Sequence, residues 1–450
     1  MDPVDSPAGP WRPDRAWADP LIALLVLVSL VLSWAILQRR SLPAPLLRAG
    51  LQGRIAELPH AAEKVLGPLG SGLFKPADRD RAARALTAPW DRALAAVLAA
   101  EQGDLAPGRR LVRETSLPGP AAPAFSRCWA RAYEAGADVD PQDRTSTIKA
   151  LGDGWAAGLL EARLDSLEGR DGSPALQRAR ERVGTRIAVL VGLGLAGVAA
   201  ALGGLGVALA LLLRKPDRPE PPVQAPPCSG RALLLVLLGW FLGLLLAGTL
   251  TAPLVHRFAA LKPFALPINV ALHASWGIFL LRRSLGTAWP GFWRGLWAGR
   301  LPRTIGWGIG HLALAVPTVL AVSWLASPLT RRFPPAQQEM IEFLGSLQGA
   351  IPLLATTLTV VLLAPFFEEL LFRGTLLPFL ARRWGWAPAI LAWGLLFGAL
   401  HLQPAGLPTL GTLGVVLGAA FRKGGGLGSA ILVHALWNGG VFLFLRVMGA

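Results

Sequence analysis

Cysteine is almost missing from this chain. Two occur in 450 residues, Cys128 and Cys228, with no CxxC pair and no Cys/His cluster, which excludes a disulfide framework and a zinc finger. No glycine-rich stretch ends in GK[ST], so "KGGGLG" at 423–428 is a turn and not a phosphate cradle. Charged residues are scarce at 16%, and acids are the scarcer sign, 28 against 44 basic residues. Hydrophobic residues fill the gap at 53% and gather in long uncharged runs, which excludes a single soluble core. The surplus of +16 lies mostly in short loops between those runs, where Lys and Arg hold loops on the cytoplasmic side. No compact basic domain carries it, so nucleic acid is not an expected partner.

An apolar helix needs about 20 residues to cross a bilayer. Nine segments come close: about 20–38, 187–213, 232–255, 264–281, 304–327, 351–372, 384–402, 407–421 and 428–448. The expected fold class is therefore all-α, a polytopic membrane helix bundle of about nine transmembrane helices with a mostly helical soluble insertion. Residues 1–40 read as an N-terminal region with a retained anchor, since no small-x-small cleavage site follows the first run. Residues 41–185 have dense, nearly balanced charge and Leu, Ala and Trp at helical spacing, as a soluble helical domain would. A second span and a proline-rich extended linker occupy 186–231, and 232–450 form a bundle whose motif-bearing core is 350–448.

Arginines mark alternate loops at 282–303, 382–383 and 422–423, which should be cytoplasmic; counting back puts the N-terminus inside and 41–185 outside. Trp289, Trp293 and Trp297 recur every four residues beside arginines and read as an interfacial anchor. Arginine far exceeds lysine, and Ala, Gly and Pro are abundant, which points to a GC-rich bacterial genome and hence to an integral protein of the bacterial inner membrane.

Within one of these apolar runs stands "FFEELLFRG", residues 366–374. Ionisable groups at membrane depth are costly and usually mark a pathway or a site. Glu369 and Arg373 are four apart on a helix and can pair, whereas Glu368 points about 100° away and stays available. Pro365 should free a backbone carbonyl and kink the helix just before them. Two later helices carry Phe397 with His401 and His434 with Asn438, each pair four apart. An antiparallel hairpin about the turn near residues 383–385 brings Glu368 and His401 to one depth; His434 matches that depth only if its helix is tilted or offset.

A glutamate can take a proton from water, a histidine can orient that water or pass the proton on, and His or Asn donors can stabilise an oxyanion. Those parts suffice for amide hydrolysis without a cofactor. Glu368, His401 and His434 could instead hold zinc with an open water position, but no HExxH preorganises them, so the metal-independent reading is favoured and zinc is the alternative. His256, His273 and His311 read as hydrogen-bonded packing.

With Glu368, Glu369 and Arg373 as EExxxR, Phe397 and His401 as FxxxH, and His434 and Asn438 as HxxxN, the sequence resembles the CPBP intramembrane proteases, a family that includes CAAX prenyl endopeptidases and Abi proteins. The resemblance covers about 350–448. It implies an intramembrane endopeptidase in which Glu368 is the base, His401 its partner, and His434 and Asn438 the oxyanion donors, with Glu369, Arg373 and Phe397 in support. The implied partners are the lipid bilayer and a membrane-associated peptide or protein substrate, prenylated in some relatives. Two other classes compete: a proton-coupled transporter, since such groups also form relays, and a non-cleaving immunity or scaffold protein.

Overall fold

The structure is a computed structural model. It describes residues 89–449 except 115–120, 135, 137, 152–153, 171, 214–225, 298, 331–332, 334–339, 341–342, 345–346 and 348. The expected anchor at 20–38, the start of the soluble segment, most of the proline-rich linker and the His256 side chain lie outside the described residues. Every regular element among the described residues is helical.

The described residues fall into two compact units. One contains α1 (Pro89–Glu101), α2 (Leu105–Glu114), α3 (Ala121–Tyr133), α4 (Pro141–Leu151), α5 (Trp155–Leu167) and the first turns of α6 (Pro174–Leu213). Its core joins Val97, Phe125, Trp129, Trp155, Leu160 and Val183. The Trp129 indole donates to Ala96 O at 3.1 Å, so its one polar atom is satisfied where it is buried. Both cysteines are free thiols. Burial pushes the Cys128 thiol up, and burial pushes that of Cys228 up to about 11. Neither should react with a maleimide at pH 7.5 in the native protein, and both should react after denaturation; mass spectrometry of labelled peptides measures this.

The other unit is the bundle: α7 (Gly230–Arg257), α8 (Ala265–Leu285), the short α9 (Trp289–Gly295), α10 (Leu301–Thr330), α11 (Ala350–Trp384), α12 (Trp386–Leu400), α13 (Leu407–Gly424) and α14 (Leu427–Gly449). Ser229 caps α7, its hydroxyl accepting from Ala232 N at 3.2 Å. Among the described residues, six helices are long and apolar enough to cross a membrane: those at Pro174–Gly206, Gly230–Val255, Ala259–Gly295, Leu301–Thr330, Ala350–Trp384 and Leu427–Val447. The protein is an integral membrane protein. The expected spans at 384–402 and 407–421 are α12 and α13, of 15 and 18 residues, and α12 is short of a full crossing.

Glycine lets α12 and α13 touch backbone to backbone. A Cβ on Gly398 would lie 2.8 Å from Leu407 O, and one on Gly414 would lie 2.9 Å from the Gly394 Cα. At one end of the bundle the arginine-marked loops meet. Arg422 lies over the Trp386 ring at 5.3 Å, Arg303 Nε donates to Lys423 O at 2.9 Å, and Leu427 N donates to Leu296 O at 3.0 Å. Large apolar side chains such as Leu195, Trp324, Ile351 and Leu395 point outward, as lipid-facing groups do.

Candidate active site

The polar residues of α11 lie between two widened turns. Thr359–Leu363 and Phe372–Leu376 are π-helical, a geometry that appears mostly as single turns inside α-helices. In the first, Ala364 N reaches back five residues to Thr359 O. The next amide in that register would belong to Pro365, which has no hydrogen, so Val360 O is left over. Asn438 Nδ2 donates to it at 3.0 Å. Pro365 thus frees a carbonyl, and α14 supplies its donor. The second widened turn is likewise followed by a proline, Pro378. Asn438→Ala should leave Val360 O unpaired and cost about 1 to 3 kcal/mol; a thermal unfolding midpoint unchanged from wild type would contradict this.

Glu369 and Arg373 are both fully buried, and Nη1 donates to Oε1 at 2.8 Å. The guanidinium also donates through Nη2 to Gly414 O at 3.2 Å and lies over the Phe397 ring at 4.5 Å. One cation therefore ties α11 to α12 and α13. His434 reaches Glu369 from α14, with Nδ1 2.8 Å from the same Oε1. Its other nitrogen, Nε2, stands 3.9 Å from Glu368 Oε2. His434 lies between the two carboxyls.

The two glutamates differ in what surrounds them. Glu369 has two partners on Oε1 and no exposed surface, whereas the Glu368 side chain is 22% exposed; the buried Oε2 of each has no hydrogen-bond partner among the described residues. Glu368 is the more exposed of the two carboxyls. The depth question raised by His434 is answered at the loop: Leu427 begins α14 on Leu296, and Leu296 packs against Gly374. The α13–α14 turn is therefore recessed to the level of Gly374, well inside the end of α11 at Trp384, and seven residues of α14 then reach Glu369.

His401 caps the C-terminus of α12. Its Nδ1 sits 2.7 Å from Phe397 O and its ring 4.8 Å from the Phe397 ring, which in turn contacts His434 at 5.8 Å. Phe397 is the wedge common to Arg373, His401 and His434. The chain leaves α12 through Leu402 at φ 52°, a left-handed conformation that costs a non-glycine residue about 1 to 2 kcal/mol. Among the described residues no three His, Cys, Asp or Glu side chains converge closely enough to hold a metal ion.

Four neighbours of the site have a placement that the sequence does not announce. Trp293 and Trp297 do more than mark an interface, since their rings pack at 6.2 and 6.4 Å on Phe366, two residues before Glu368. His273, on α8, packs against Trp240 and Phe367 and hydrogen-bonds Asn269 at 3.4 Å, so it is packing, as expected, but packing that adjoins Glu368. Gly414 O has no side chain to announce it. The four-residue Trp spacing was the one available signal, and it is shared with any aromatic face.

Residues 350–440 match the family model of the Rce1-like type II CAAX prenyl endopeptidases. That span contains EExxxR, FxxxH and HxxxN together. No curated protein and no solved structure matches the chain.

Proposed function

We propose that this chain, whose residues 350–440 form an Rce1-like domain of the CPBP intramembrane protease family, hydrolyses a peptide bond of a membrane-associated and, by analogy, prenylated peptide or protein. Glu368 activates the water, and His401, His434 and Asn438 complete the site. The observation that carries this reading is the contrast between the two carboxyls: Glu369 is fully buried and bound through Oε1 to Arg373 and His434, while the Glu368 side chain is partly exposed and has no cation of its own among the described residues. A general base needs a free lone pair within reach of the proton it takes.

The proposed chemistry uses no metal. No HExxH pair preorganises a metal site, and zinc held by Glu368, His401 and His434 is the alternative. The bacterial cytoplasmic membrane is the proposed location, on composition and apolar helices. The test uses the purified full chain in liposomes with internally quenched peptides, prenylated and plain. Cleavage at one bond, unaffected by a chelator, is the expected result; ion flux without cleavage would replace the reading by transport.

A further inference from the structure

Glu369 Oε1 accepts from Arg373 Nη1 and lies 2.8 Å from His434 Nδ1, all three groups being buried. A carboxylate oxygen already accepting from a guanidinium has only lone pairs to offer. The imidazole nitrogen must therefore bring the hydrogen, and the neutral ring keeps its own lone pair at Nε2. That nitrogen faces Glu368 Oε2 at 3.9 Å. The two are both acceptors and cannot bond each other; one water donating a hydrogen to each of two acceptors spans about 4 to 4.5 Å, so the pair must part by a few tenths of an ångström to admit it at the buried Oε2.

We propose that Glu369 is a positioning residue that fixes His434 in the tautomer protonated at Nδ1, so that Nε2 accepts one hydrogen of the water whose other hydrogen Glu368 removes. The proposal rests on the hydrolytic reading above and deepens it. As the water oxygen bonds to the scissile carbonyl carbon, one O–H proton moves to Glu368 Oε2 and the carbonyl electron pair goes to its oxygen. The second hydrogen stays on the attacking oxygen, held by His434. When the C–N bond breaks, Glu368 returns its proton to the amine nitrogen. The family resemblance makes His434 an oxyanion donor instead. With Nδ1 already donating to Glu369, that role requires a hydrogen on Nε2 as well, and so an imidazolium. The two roles differ in one hydrogen atom on one nitrogen. Arg373 on α11, beside Glu369, and His401, across Phe397, are the other charged or titratable groups around the ring.

Nitrogen NMR of the full chain, labelled with 15N-histidine, reads that hydrogen directly. Six histidines contribute, and the His434 signals are those lost in His434→Gln. The expected spectrum at neutral pH has a protonated Nδ1 and a bare Nε2. Arg373 and His434 share Oε1, so in Glu369→Gln alone the amide oxygen stays at that position; with Arg373→Met added, the carboxamide is free to turn its NH2 to Nδ1, and the ring hydrogen moves to Nε2. In that double variant kcat should fall about 10² to 10⁴-fold with KM little changed, as expected when an orienting carboxylate is replaced by its amide. A protonated Nε2 in the wild type, or an unaltered kcat in the folded double variant, would overturn the proposal. If the double variant fails to fold, the wild-type spectrum still decides the tautomer. A wild type that cleaves no peptide defeats the hydrolytic reading, and the proposal that rests on it, whatever the spectrum shows.

Discussion

Glu368→Gln should reduce peptide cleavage by about 10² to 10⁴-fold, the usual contribution of a positioned general base. That corresponds to about 3 to 5 kcal/mol on the barrier. The protein should remain as stable as the wild type, because Glu368 Oε2 makes no hydrogen bond that the amide would lose. The combination matters more than the loss alone: an inactive variant with an unchanged unfolding curve points to chemistry, and an inactive variant that unfolds early points to architecture. A rate within threefold of wild type would move the base to another residue. Rescue of a cellular phenotype by a folded, non-cleaving Glu368→Gln protein would favour a scaffold.

The opposite pattern is expected at Arg373. Replacing it with alanine leaves the fully buried Glu369 carboxylate without its cation, strips the donor from Gly414 O, and empties the face of Phe397. Breaking a buried pair from one side costs about 3 to 5 kcal/mol, because the surviving charge has no solvent to turn to. Unfolding in detergent should shift to markedly lower temperature or denaturant concentration. Arg373→Lys keeps the charge but not the planar fork that serves Glu369 and Gly414 together, and it should fall between the two. Glu369→Gln combined with Arg373→Met should recover much of the stability lost in Arg373→Ala, since no buried charge is stranded, while cleavage stays impaired. Wild-type stability in Arg373→Ala would mean that the pair is not a structural element.

These two residues also show what was legible before any coordinates. The i,i+4 spacing of Glu369 and Arg373 needs only helix geometry, and the pair forms as that spacing predicts. His434 could not be placed the same way. Its depth is set by a backbone bond from Leu427 to Leu296, 131 positions apart in the chain, and no local pattern encodes such a bond. Asn438 is similar: its position four after His434 was visible, but its bond to Val360 O depends on a widened turn on another helix. Pro365 announced a freed carbonyl without saying what would cap it. The tryptophan stripe was read by its amphipathic neighbours alone, and the ring it packs against, Phe366, lies across the bundle. Hydrophobicity marked α12 and α13 as spans; the turns at Gly385 and Leu402 hold α12 to 15 residues, below a full crossing.

The shortness of α12 bears on how water would reach the proposed site. A 15-residue helix is about 22 Å long, against a hydrocarbon layer of about 30 Å. A leaflet thinned to match it would bring headgroups and solvent several ångströms closer to the carboxyl and imidazoles. Hydrophobic mismatch at one abbreviated helix would thus hydrate a site that the longer helices keep from the aqueous phase.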